Sequence, residues 1–170
     1  MELSGKMTAD VVSVGIRRNQ SQDGKTAYVD LEVGVDQDGA EKRFGPEFAK
    51  LAFSTLEVRE DATGAKGFNF LQDKIKPNDR LVLGRHRIEI ADEVWNEQPE
   101  LRGITTCDGS PRVIADIRIP LPTTHKALTA LARKVGETVE IKFAVESPKL
   151  GFELVGGEKT RGKSSEEATI

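Results

Sequence analysis

Arg80, Arg85, His86 and Arg87 fall close together in one stretch of this chain, and two further basic pairs, Arg17-Arg18 and Lys42-Arg43, stand elsewhere. Strand alternation would set Arg85 and Arg87 on one face. Guanidinium groups suit phosphate oxygens, and Tyr28, Phe68, Phe70 and Trp95 are the aromatic rings on which bases would stack. Small barrels hold single strands with that combination. Arg17, Arg18, Arg85, Arg87, Tyr28 and Phe68 are therefore the candidate nucleic-acid contacts. The same residues also have a plain structural account. Arg85, Arg87 and Glu89 describe an ordinary solvated sheet face, and a Phe68/Phe70 pair more often enters a core than meets a ligand. Aromatic residues are 5% of the chain, which is thin for a stacking platform.

Trp95 is the candidate protein-interface residue. It stands in an acidic stretch, Asp92 to Pro99, that reads as irregular. A loop tryptophan there either anchors a partner or lids the core from the side.

Other chemistry finds little support. Two histidines far apart, His86 and His125, and the single cysteine, Cys107, make no metal cluster. Asp36-Gln37-Asp38-Gly39 looks like the start of a calcium loop but lacks the later acidic positions, so it reads as a turn. Cys107 has no neighbouring base or helix N-terminus to make it a nucleophile, and no nucleophile elbow or phosphate-binding loop is present. Catalytic carboxylates cannot be picked out of 28 acidic residues. No cofactor or metal is expected, and a non-enzymatic protein is the better reading.

The elements that would carry these residues are mostly strands. Val12, Val14 and Ile16 alternate with Val11, Ser13 and Gly15. Ala27, Val29, Leu31, Val33 and Val35 form the apolar face of a second strand. Between them lies a polar hairpin loop with an Asp23-Gly24 turn. Asp38-Gly39 would close the second strand, and Pro46 would open a short helix. Leu56 to Arg59 reads as a brief strand, and Lys76 to Asp79 as a turn. Leu81 to Ile90 reads as a strand with His86, Ile88 and Ile90 on one face, and Arg102 to Thr106 as another.

The clearest stretch runs from Pro111 to Glu146. Val113, Ala115, Ile117 and Ile119 share one strand face, and Pro120 and Pro122 stop the strand. Thr123 or Thr124 can cap a helix over 124–135, with Ala127, Leu128, Leu131, Ala132 and Val135 as its stripe and Gly136 as its end. Val139, Ile141, Phe143 and Val145 then resume period two. Ser147-Pro148 turns the chain and 151–155 can add a short strand.

These patterns specify a β-dominated α+β fold: a partly open small β-barrel or a sandwich with two short helices. Residues 1–155 form one expected domain, and 156–170 an expected disordered polar tail. One cysteine rules out an internal disulfide, and no apolar run is long enough to span a bilayer. No signal peptide is evident at the N-terminus, so a cytoplasmic protein with no membrane partner is expected. A net charge of −3 weighs against sequence-independent nucleic-acid binding, though a local patch can act despite it.

The functional expectation is a protein-interaction or assembly module, self-associating or bound to a protein partner. Its proportions resemble those of small β-rich accessory proteins of phages and mobile elements. The alternative is a single-stranded nucleic-acid binder of the small-barrel type. A small enzyme comes third, and would need a pocket with converging polar groups.

Overall fold

The structure is a computed structural model that describes residues 1–18, 25–107, 109–122 and 125–146, without the side chains of Arg18 and His125. Of the loop expected at 17–25, Arg17, Arg18 and Lys25 instead extend the paired strands, and 19–24 lie outside the described residues, as do the Thr123 or Thr124 cap, the Ser147-Pro148 turn, the strand at 151–155 and the tail. In chain order the strands are β1 (Gly5–Arg18), β2 (Lys25–Asp36), β3 (Leu56–Glu60), β4 (Lys66–Phe70), β5 (Lys74–Ile75), β6 (His86–Ile90), β7 (Glu93–Glu97), β8 (Glu100–Thr106), β9 (Arg112–Leu121) and β10 (Thr138–Val145). The helices are α1 (Gln37–Phe44), α2 (Pro46–Ala52) and α3 (His125–Ala132).

Period-two patterning builds the centre of the sheet. Ala27, Val29, Leu31, Val33 and Val35 of β2 are buried, as are Val113, Ala115, Ile117, Ile119 and Leu121 of β9. The strands pair antiparallel with Val29 opposite Ile119 and Leu31 opposite Ile117, so the two apolar rows share one layer. The whole forms an eight-stranded antiparallel sheet, ordered β5-β8-β9-β2-β1-β10-β6-β7, with β3 and β4 apart as a two-stranded hairpin. The sheet curls without closing. Trp95 of the edge strand β7 donates its indole N–H to the carbonyl of Pro120 in β9 (3.0 Å), although β2, β1, β10 and β6 lie between those strands.

This is the β-dominated α+β fold that the sequence specifies, with a third helix added to the two expected. Asp38-Gly39 does not close β2 as a turn. The Asp36 carboxylate instead accepts from Gly39 N–H (2.7 Å) and caps α1. Ala40 and Phe44, four residues apart, are buried on one face of α1. Gly45, at φ 92°, separates α1 from α2, and Pro46 begins α2. The turn places the Phe44 and Phe48 rings 4.4 Å apart and stacked beneath the sheet.

Other expectations need correction. Val12, Val14 and Ile16 do not form one buried face. The register slips between Val11 and Ser13, so Val12 is the extra residue of a bulge. Met7, Ala9 and Val11 are buried before it and Val14 packs on the core after it, while Val12 and Ile16 are exposed. Ser13 is thereby set on the outer face. Leu81 to Ile90 is not one strand: a 3-10 turn at Asp79–Leu81, capped by Asn78, precedes β6. The stretch around Trp95 is not irregular but holds β7 and the start of β8. In α3, Ala127 and Leu131 are buried, but the helix ends at Ala132 and leaves Val135 exposed.

Candidate functional site

The nucleic-acid candidates do not gather in one place. Tyr28 projects from near the start of β2, Arg17 is exposed near the end of β1, and the Arg18 side chain lies outside the described residues. Arg87 is exposed on β6, separated from β2 by β10 and β1. Arg85 precedes β6, and its guanidinium pairs with the Glu146 carboxylate (3.0 Å). Phe68 belongs to the separate β3–β4 hairpin.

Tyr28 is not an open stacking platform. The Arg118 guanidinium lies 3.9 Å from its ring centroid. On β1, Gly15 faces Tyr28, and a Cβ there would sit 2.6 Å from the phenol oxygen, so the ring needs a glycine beneath it. Arg118 is itself committed to Asp30, with Nε donating to Oδ1 (2.6 Å) and a terminal nitrogen to Oδ2 (2.8 Å). The Ser13 hydroxyl, turned outward by the bulge, also donates to Asp30 (2.8 Å). Arg102 stands 3.8 Å away.

Two carboxyls in this cluster shift in opposite directions. Burial pushes Asp30 upward, but the Arg118 and Ser13 hydrogen bonds and the charges of Arg118 and Arg102 outweigh it, so its pKa is lowered. Asp116 has no such hydrogen bonds. Burial, with the Asp30 charge adding, holds it above the usual carboxylate range despite Arg102 and Arg118.

Elsewhere the outer face sets opposite charges across neighbouring strands. Lys6 pairs with Glu140 (3.3 Å) and Lys142 with Glu89 (2.6 Å). Its basic residues therefore stand interleaved with acidic ones, and Arg17 and Arg87 have no ion partner among the described residues.

Trp95 is 9% exposed, and its N–H is taken by Pro120, so it closes one end of the core. His86 is fully buried. Its Nε2 accepts from Leu3 N–H (2.9 Å), and Nδ1 lies 2.7 Å from the Gly84 carbonyl. Accepting at Nε2 requires the proton at Nδ1, which then donates to Gly84. Both nitrogens are structural and neither is offered as a base for Cys107. Among the described residues no three His, Cys, Asp or Glu side chains gather as a metal site.

A depression of about 350 Å³ lies between 77–83 and 98–101. Two of its polar side chains are engaged within the fold. The Gln98 amide donates to the Leu83 carbonyl (2.9 Å) and Asn78 caps Arg80 N–H (3.1 Å).

The β3–β4 hairpin is different. Leu56 opposes Phe70 and Val58 opposes Phe68, giving one apolar face. The inner pair roots on the core, where the Phe70 and Phe53 ring centroids lie 6.1 Å apart. The outer pair has no such support: Val58 is 55% exposed and Phe68 is half-buried, and Leu71 just beyond β4 is 65% exposed. The tip is tightly built. Asp61 accepts from Thr63 N–H (2.8 Å), Thr63 hydroxyl (2.6 Å) and Ala65 N–H (3.0 Å), which lowers its pKa. Gly64 supplies the positive φ of 82° that the turn requires.

Sequence reading found Phe68, Phe70 and the brief strand at Leu56, but not their pairing. The usable signal was a loop with no apolar residue larger than alanine between two short runs, each apolar at every second position. Among known proteins, no family model, curated protein or solved structure matches this chain.

Proposed function

We propose that this protein is a non-enzymatic interaction or assembly module that docks a protein partner on the β3–β4 hairpin. The observation that carries this reading is a rigidly turned two-stranded ribbon with an outward apolar pair and no strand on either edge among the described residues. An isolated hairpin is only marginally stable in water, and open strand edges are templates for another chain. An exposed apolar strip on such an element is characteristic of a contact surface. Trp95, the interface residue expected from sequence, is spent on closing the core.

Val58→Ser combined with Phe68→Ser tests this reading. The double variant is expected to unfold within a few degrees of the wild type, because neither side chain belongs to the buried core. Complexes isolated from the native cell and sized by light scattering should contain the wild type in a stoichiometric assembly and lack the variant. A variant that assembles like the wild type, or a wild type that is monomeric both in those isolates and after purification, would sink the proposal.

Single-stranded nucleic-acid binding is the second reading. It is supported by the exposed Arg17 and Arg87, which have no ion partner among the described residues. The covered ring of Tyr28 and the ion-paired Arg85 weigh against it.

A further inference from the structure

We propose that the hairpin takes a second copy of this chain, with β3 pairing antiparallel to the partner subunit's β3 about a two-fold axis at Val58. This rests on the reading of the hairpin as a docking element and specifies its occupant. The result would be a four-stranded sheet shared by two protomers, β4-β3-β3-β4.

The backbone of β3 fits itself. Leu71 N–H donates to the Thr55 carbonyl and Asp61 N–H to the Ala65 carbonyl (both 3.0 Å), which marks the residues bonded to the β4 side. By alternation Glu57 and Arg59 also face β4, while Leu56, Val58 and Glu60 turn their backbone groups to the open edge. Leu56 N–H is already taken by the Phe53 carbonyl (3.2 Å). Among the described residues, the free set at the centre of the edge is therefore the Leu56 carbonyl, both groups of Val58 and the Glu60 N–H. Antiparallel pairing centred on Val58 uses this set. Val58 exchanges both bonds with its copy, and each Glu60 N–H meets the other chain's Leu56 carbonyl.

The charges fit in the same register. Glu57 and Arg59 flank Val58 symmetrically, so each Glu57 falls opposite an Arg59 across the axis. Within one chain these two already pair at 3.1 Å while exposed, so they can exchange partners at little cost. On the other face, the two Val58 side chains meet between the two Phe68 rings and cover the strip left open in the single chain.

At one edge of the large sheet, the Asn96 carbonyl on the open side of β7 already accepts from the Arg85 guanidinium (3.5 Å). At the other edge of the large sheet, β5 has only two residues.

Sedimentation velocity of the full chain over a range of concentrations tests the proposal with a charge swap. The wild type is expected to dimerise. Glu57→Arg and Arg59→Glu should each weaken dimerisation roughly tenfold or more, because each sets like charges opposite one another. An equimolar mixture of the two variants should dimerise as a heterodimer, and the double variant E57R/R59E should recover self-association. A wild type that stays monomeric overturns the proposal, as do single variants that dimerise like the wild type or a mixture that fails to dimerise. If assembly survives Glu57→Arg but is lost in the Val58→Ser/Phe68→Ser protein, β3 pairing is wrong while the hairpin reading stands. If both variants assemble normally, both readings are wrong.

Discussion

Asp30 is a carboxylate held on a sheet by partners distant in sequence; Arg118 lies 88 residues away. Nothing local singles out either residue among the many charges of the chain, because their meeting depends on the β2–β9 register that sets them opposite each other. Arg118→Met keeps an apolar stem over Tyr28 but removes the main partner of a part-buried charge. It should cost about 1–3 kcal/mol at neutral pH, the range for a lost charged hydrogen bond. The folded-state pKa of Asp30 is lowered, so its contribution is present above the unfolded value and is lost as pH falls through the folded one. Urea unfolding should therefore show a large wild-type-to-variant difference at neutral pH that shrinks progressively as pH falls below about 4. An unchanged difference at both would mean that the Asp30 charge is not what Arg118 serves. Asp116 has the opposite sign. Its raised pKa favours folding when the group is protonated, and that advantage is lost as pH rises through the folded value. Asp116→Asn should stabilise the protein at neutral pH, with the gain disappearing below about pH 4, where Asp116 is protonated in both states. A loss of stability at neutral pH would show that attraction to Arg102 outweighs burial.

Elements announced by long alternation were legible, and those depending on an unusual turn were not. β2 and β9 could be read because buried residues recur at every second position along strands of 12 and 10 residues. α1 was hidden because Asp38-Gly39 carries a turn signature, whereas Asp36 is in fact the helix cap. β7 was hidden for the opposite reason. The loop joining it to β6 is Ala91-Asp92, with φ 50° and 66°, a left-handed pair that hairpins usually fill with Asn-Gly or Asp-Gly. Without that signature, an acidic stretch before Pro99 looks irregular. The turn also predicts a gain. An alanine in the left-handed region costs about 1 kcal/mol or more, which glycine avoids. Ala91→Gly should raise stability by roughly 0.5–1 kcal/mol, read by thermal unfolding, after allowance for the greater freedom of glycine in the unfolded chain. A clear loss would show that the methyl group makes a contact worth more than the strain, consistent with Ala91 packing against the core.

At the scale of the molecule, the sheet's curl gives its two faces separate tasks. The inner face, with α1 and α2, holds the core, and Trp95 helps close it by reaching from β7 to β9. The outer face carries interleaved charge. Clustering of arginines in sequence does not become clustering in space here, because neighbouring strands bring acidic partners: Glu146 beside Arg85, Glu89 beside Lys142, Asp30 beside Arg118. A polyanion approaching that face meets alternating signs on a chain of net charge −3. Fluorescence anisotropy with a labelled single-stranded oligonucleotide should therefore show no binding by the wild type even at low salt, where counterion release is most favourable. Arg85→Ala with Arg87→Ala should behave no differently. Wild-type binding whose salt dependence falls by about two phosphate contacts in that double variant would reverse the order of the two functional readings. It would place the contact beside β6 on the outer face, away from the covered Tyr28, and leave the hairpin free to join protomers along one strand.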